Sequence, residues 1–163
     1  PFIVSGGGTT SEKEPNEGFV SATLDLAPTI LEMTDSRTMD DGHGVSLAPV
    51  LRADTRDTGR EVAFSSYNGA QFGLYCQRMI RTHQWKYVWN LVAEDELYDM
   101  QIDPAELHNV AGDPQNSSIL AGLRLKLHEQ MSRVEDPLLR GPWLNDQLLG
   151  GDSITPLEIP ETV

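Results

Sequence analysis

The stretch that most constrains this chain is residues 95–109, which read DELYDMQIDPAELHN. Leu97 and Tyr98 are apolar and read as the end of a strand, closed by Asp99. Asp103 then suits a helix N-cap, Pro104 the first helical position and Glu106 the third, a capping box with Asp in the capping role. The spacing predicts a strand-to-helix corner whose carboxylates lie at the positive end of a short helix. A calcium loop is the competing reading. Asp99, Asp103 and Glu106 do not follow the alternating acid and glycine spacing that such a loop needs.

At 163 residues the chain is long enough for a domain with a real core. Its net charge of -13 opposes binding to a nucleic-acid backbone or an anionic membrane. No apolar run approaches the length that spans a bilayer, and no signal peptide is visible. The first residue is Pro1, so either an N-terminal segment has been removed or the chain is a piece of a longer one. Cys76 is the only cysteine, which excludes an internal disulfide. His43, His83, His108 and His128 are scattered and show no zinc spacing.

The hydrophobic pattern changes along the chain. Phe2, Ile3 and Val4 give a short buried-strand signal, followed by a glycine-rich loop that lacks the Gly-Lys-Ser/Thr ending of a P-loop. Leu26, Ile30, Leu31 and Met33 share an apolar helix side. Pro28 fits only in a first turn, so that helix is expected to begin near Asp25 as its cap. Residues 45–51 are a short apolar piece and 52–60 a polar linker. Strands follow at 61–65, 77–82, 85–90 and 97–100, the second and third pairing as an antiparallel hairpin. Trp85, Tyr87 and Trp89 alternate with Lys86, Val88 and Asn90, so one strand face is aromatic. That face is either core or a carbohydrate-stacking platform. Residues 67–73 form a polar loop between strands, a common place for binding.

Asp113-Pro114 opens the clearest helix, over 113–134, with Ile119, Leu120, Leu123, Leu127, Met131 and Val134 recurring at helical spacing. Gly122 weakens it by about 1 kcal/mol. After Asp136-Pro137 the chain is expected to wrap the surface, and 150–163 reads as a tail held only by docking.

Several of these segments resemble sulfatases of the alkaline-phosphatase superfamily, in the family's order. DELYDMQIDPAELHN is similar to the family's D-E-L-Y-D-L, D-P-x-E and N-L run. Residues 1–5 resemble its strand before W-P-G, and Val20-Ser21 with residues 25–31 its V-S-x-x-D-L-x-P-T-I-L. Asp41-Gly42, Ser46-Leu47 and Pro49-Val50-Leu51 resemble D-G-x-S-L-x-P-L-L. Met79-Ile80-Arg81-Thr82 with Trp85-Lys86-Tyr87-Val88 resembles the R-T-x-x-x-K-Y segment. Two departures stand out: Gly6-Gly7-Gly8 replaces W-P-G, and one residue is inserted between Ser21 and Asp25.

The resemblance implies an α/β protein, of which this chain is an α+β fragment. A small antiparallel sheet would be packed by a C-terminal helix, alongside a strand and helix left from the large α/β domain. Residues 1–51 would be the end of the catalytic domain, 52–60 a linker, 61–149 the C-terminal subdomain and 150–163 a tail. It also implies a formylglycine made from Cys or Ser in C/S-x-P-x-R and a calcium ion held by Asp and Asn. Those motifs precede the first strand in the family's order. Cys76-Gln77-Arg78 is not that motif, so calcium and formylglycine are expected in the missing catalytic portion and no catalytic residue or metal ligand is assigned here. The partners implied are that portion and a sulfated small molecule or carbohydrate, with no nucleic acid and no membrane. Asn68, Gln71 and Arg78 are the candidate substrate-binding residues: the amides can bond sugar hydroxyls and the guanidinium can pair a sulfate or carboxylate. The alternative function is a non-catalytic carbohydrate-binding or interaction module, to which an exposed aromatic face would point.

Overall fold

The computed structural model describes residues 3–6, 9, 18–37, 42–69 and 75–150. They fall into two compact units, Pro1–Ala63 and Phe64–Val163.

The first unit is built on α1 (Ala22–Met33) and α2 (Ala48–Leu51). α1 begins three residues before the expected start, so Pro28 lies inside it. Two local features make this tolerable. Asp25, expected as the cap, is buried, and its carboxylate reaches back to accept the Ser21 N–H at 2.7 Å. Pro28 has no N–H for the Leu24 carbonyl, and the backbone of Gly44 lies against that carbonyl instead. A Cβ at residue 44 would stand 2.0 Å from the Leu24 oxygen, which only glycine avoids. Asp25 also accepts the Val45 N–H and pairs with Arg60, and Thr29 accepts the Leu47 N–H. Ile3 and Val4, read as a buried strand, are exposed and irregular. A strand needs a neighbour for its backbone groups, and none pairs with them among the described residues.

The second unit is a four-stranded antiparallel sheet, β1 (Ala63–Asn68), β2 (Cys76–Arg81), β3 (Trp85–Asn90) and β4 (Glu96–Asp99), in spatial order β1-β2-β3-β4. The register stacks Ile80, Tyr87 and Leu97 in one row across the sheet, with Arg78 opposite Trp89 beside it. A 3-10 turn (Pro114–Asn116), capped by Asp113, leads into α3 (Ser117–Arg133). Its buried stripe of Leu120, Leu123, Leu127 and Met131 meets this side of the sheet, burying Tyr87 and Trp89. The segment expected to wrap the surface is instead a second 3-10 turn (Pro137–Arg140) and α4 (Pro142–Gly150), whose buried Leu144 and Leu148 pack toward α3. The sequence signal was a proline at the first position followed by leucines four apart.

The helix expected from Asp103 does not form. Residues 100–112 make turns and extended segments along the free edge of β4. Glu106 has φ 57°, in the left-handed region, and its carboxylate pairs with Lys86 rather than reaching back to Asp103. The Asp103 carboxylate accepts from Leu107 and His108, not from the positions that a helix cap serves. Asn109 and Val110 then satisfy the N–H and C=O of Leu97. A helix here would have carried both away from that edge.

Candidate functional site

The β1–β2 and β3–β4 connections lie at the same end of the meander. Asn68 ends β1 there with its side chain exposed. It was expected on a loop, and the strand runs further than the 61–65 signal because β2 pairs alongside it as far as Gly69, whose N–H bonds the Tyr75 carbonyl at 3.1 Å. Gln71 lies outside the described residues.

Arg78 is not on a surface. It is 1% exposed, on the side of β2 that faces α3. Its Nε and Nη2 donate to the two oxygens of Asp136 at 2.5 and 3.0 Å, a forked, charge-assisted pair. Its Nη1 donates to the Gln77 carbonyl at 2.9 Å and the Tyr67 carbonyl at 3.3 Å. The guanidinium therefore ties the end of β1, the start of β2 and the turn after α3 together. It has no free face for a sulfate. The structure brings Asn68 and Arg78 to neighbouring strands but points them to different tasks.

At the same end, the β3–β4 connection lines a cleft of about 700 Å³. Trp89, Val92, Asp95, Asn109, Arg124 and Gln147 contribute to it. Its polar wall is a network that sequence reasoning missed. The Tyr87 hydroxyl donates to Asp95 at 2.7 Å, and Arg124 donates to Asp95 at 2.8 Å and to the Tyr87 oxygen at 3.3 Å. Burial pushes the Tyr87 hydroxyl far up from its ordinary range, and the Asp95 charge and hydrogen bond push it further. Burial works against the Arg124 charge, but the bonds to Asp95 and Tyr87 outweigh it and raise its pKa. Tyr87 thus keeps its proton and Arg124 its charge. Neither can act as a base or nucleophile at neutral pH. Asp95 and Arg124 are 29 residues apart, so no local spacing announced them.

Among the described residues no three His, Cys, Asp or Glu side chains converge where a metal ion could be held. The donor set here does not fit a calcium centre, and Cys76 lacks the flanking residues of a formylglycine motif.

Comparison with known proteins gives this architecture a context. Residues 1–133 match the family model described as N-sulphoglucosamine sulphohydrolase, C-terminal. The chain is 34% identical over 139 residues to a Delta 4,5-hexuronate-2-O-sulfatase of Bacteroides thetaiotaomicron, covering 83% of this chain and 29% of that enzyme. It resembles a solved 2-O GAG sulfatase with a TM-score of 0.76 and 30% identity, over 87% of this chain and 32% of that one. A structure solved in complex with its substrate D-glucosamine-2-N,6-O-disulfate aligns with a TM-score of 0.60 and 29% identity, over 69% of this chain and 24% of that one. The chain therefore spans about a third or less of the length of each of these three relatives. On its sequence and on its four-stranded sheet with packed helices, this chain belongs to the sulfatase family, matching its C-terminal portion.

Proposed function

We propose that this chain serves as the C-terminal part of a sulfuric ester hydrolase acting on a sulfated carbohydrate. In this reading it supports the catalytic portion and presents the β1–β2 connection to the substrate pocket. The observation that carries it is the family match over residues 1–133, joined to relatives whose names specify sulfated sugars. Residues 1–51 would complete the catalytic α/β domain, 52–60 would link it to the subdomain of 61–149, and 150–163 would form a tail. Asn68 and Gln71 would hydrogen-bond sugar hydroxyls. Arg78 would act from inside, holding the strands that present them. Calcium and formylglycine would belong to residues outside this chain, which by itself would be inactive.

The carbohydrate-binding module is the weaker reading. It relied on an exposed Trp85, Tyr87 and Trp89 face, and Tyr87 and Trp89 are buried under α3. A buried ring cannot stack on a sugar.

The test is to read the coding sequence immediately upstream of Pro1, then assay the longest product. A C/S-x-P-x-R motif, an Asp/Asn metal set and a Lys-bearing segment there, with turnover of a sulfated sugar, is the expected result. An unrelated domain or a start codon there would reject the proposal.

A further inference from the structure

Most polar groups around the β3–β4 cleft are spent within the fold. Asn90 donates to the Glu94 carbonyl and to Glu96, and accepts from Gln77. Asn109 donates to the Asp95 carbonyl and accepts from the Leu97 and Ala111 N–H groups. The Tyr87 hydroxyl donates to Asp95 Oδ2 and accepts from Arg124 Nε. Two atoms keep spare capacity. Among the described residues, Asp95 Oδ1 receives only the Asn90 N–H, at a long 3.4 Å. Arg124 uses Nε and Nη2, and its Nη1 has no acceptor among the described residues. The Asp95 and Arg124 side chains are 17% and 16% exposed, and both line the cleft. A carboxylate oxygen that can still accept therefore belongs to the same ion pair as a guanidinium nitrogen that can still donate.

A hydroxyl both donates and accepts, so two neighbouring hydroxyls match such a pair. The cleft, about 700 Å³, falls in the size range of small-molecule sites, about 300–1,000 Å³. Trp89, Val92 and Leu120 add apolar lining for the C–H side of a small ring. Charge decides against an anion. Asp95 already balances Arg124 at 2.8 Å, Glu94 adds a negative charge to the lining, and the chain as a whole carries -13. We propose that the β3–β4 cleft binds a neutral vicinal diol, the chemistry that a saccharide ring or a small polyol presents, through Asp95 Oδ1 and Arg124 Nη1. The site stands apart from the sulfatase reading, because its ligand carries no sulfate ester.

The experiment titrates the chain with D-glucose, D-galactose, D-mannose, glycerol and inorganic sulfate, each to 50 mM, and follows amide shifts in two-dimensional NMR. At least one hexose is expected to give saturable shifts at Val92, Ala93, Ala111 and Gly112 and at the Arg124 Nε–H. Glycerol moving the same signals would support the site and assign it to polyols in general. Asp95→Asn is expected to weaken binding by about tenfold. Ala111→Phe should abolish it by filling the cleft. That second variant leaves the Tyr87–Asp95–Arg124 network intact, so it decides the matter even if Asp95→Asn loosens the fold. No saturable shift with any neutral probe would overturn the proposal. So would sulfate moving these signals at lower concentration than the hexoses, or hexose binding that Ala111→Phe leaves unchanged.

Discussion

Asp136 holds two roles at once. It pairs with the buried Arg78 and caps the 3-10 turn after α3 through the Leu138 N–H. Asp136→Asn leaves a guanidinium buried without its counter-charge, which is expected to cost about 3–5 kcal/mol in urea melts. Arg78→Met with Asp136→Leu removes both charges and should recover most of that, short of about 1 kcal/mol for the lost cap. A double variant no more stable than Asp136→Asn would sink this account. The pair was invisible in the sequence because its members are 58 residues apart, so Arg78 read as a free cation near a loop. Asp103 offers a pH test. The bonds from the Leu107 and His108 N–H groups hold its carboxyl below the ordinary 3.8. A lowered folded pKa means that the stabilising bonds are complete above pH 3.8 and are lost as pH falls through the lower folded value. Amide exchange at Leu107 and His108, corrected for intrinsic rates, should therefore stay slow above pH 3.8 and quicken as pH falls below it. Equal protection above and below that value would refute it.

Elements with a clean period were legible, and those fixed by distant partners were not. The alternation through Trp85–Asn90 and the leucine stripe of α3 each follow from which side is buried, a property the sequence encodes directly. The 103–109 helix failed because Lys86, Asn109 and the β4 edge compete for the groups a capping box would use. The early start of α1 was missed because Gly44, twenty residues from Leu24, relieves Pro28. Gly44→Ala should thus destabilise the first unit by about 1–3 kcal/mol, seen as a lowered melting transition for α1. Gly122 is the opposite case. A Cβ there meets open space on the exposed side of α3, so Gly122→Ala should add about 0.8–1 kcal/mol. No gain in thermal stability would mean that α3 is not held as a regular helix at that turn.

At the scale of the whole molecule, the question is whether this chain can hydrolyse a sulfate ester without further residues. Displacement at sulfur needs a nucleophile, a cation for the developing charge and a proton donor for the leaving group. The cations that geometry makes tempting, Arg78 and Arg124, are bound to Asp136 and Asp95. Tyr87 beside Arg124 is held protonated by burial. Asn68, the exposed candidate, can orient a sugar but cannot attack sulfur or carry the sulfate charge. The pure chain is therefore expected to show no turnover of a chromogenic aryl sulfate, with or without added calcium. Turnover that appears only with calcium would mean that this chain assembles a metal site of its own, and its acids would have to be reassigned from packing to chemistry. Absence of turnover here, followed by activity once the upstream polypeptide is supplied, would place the chemistry outside this chain.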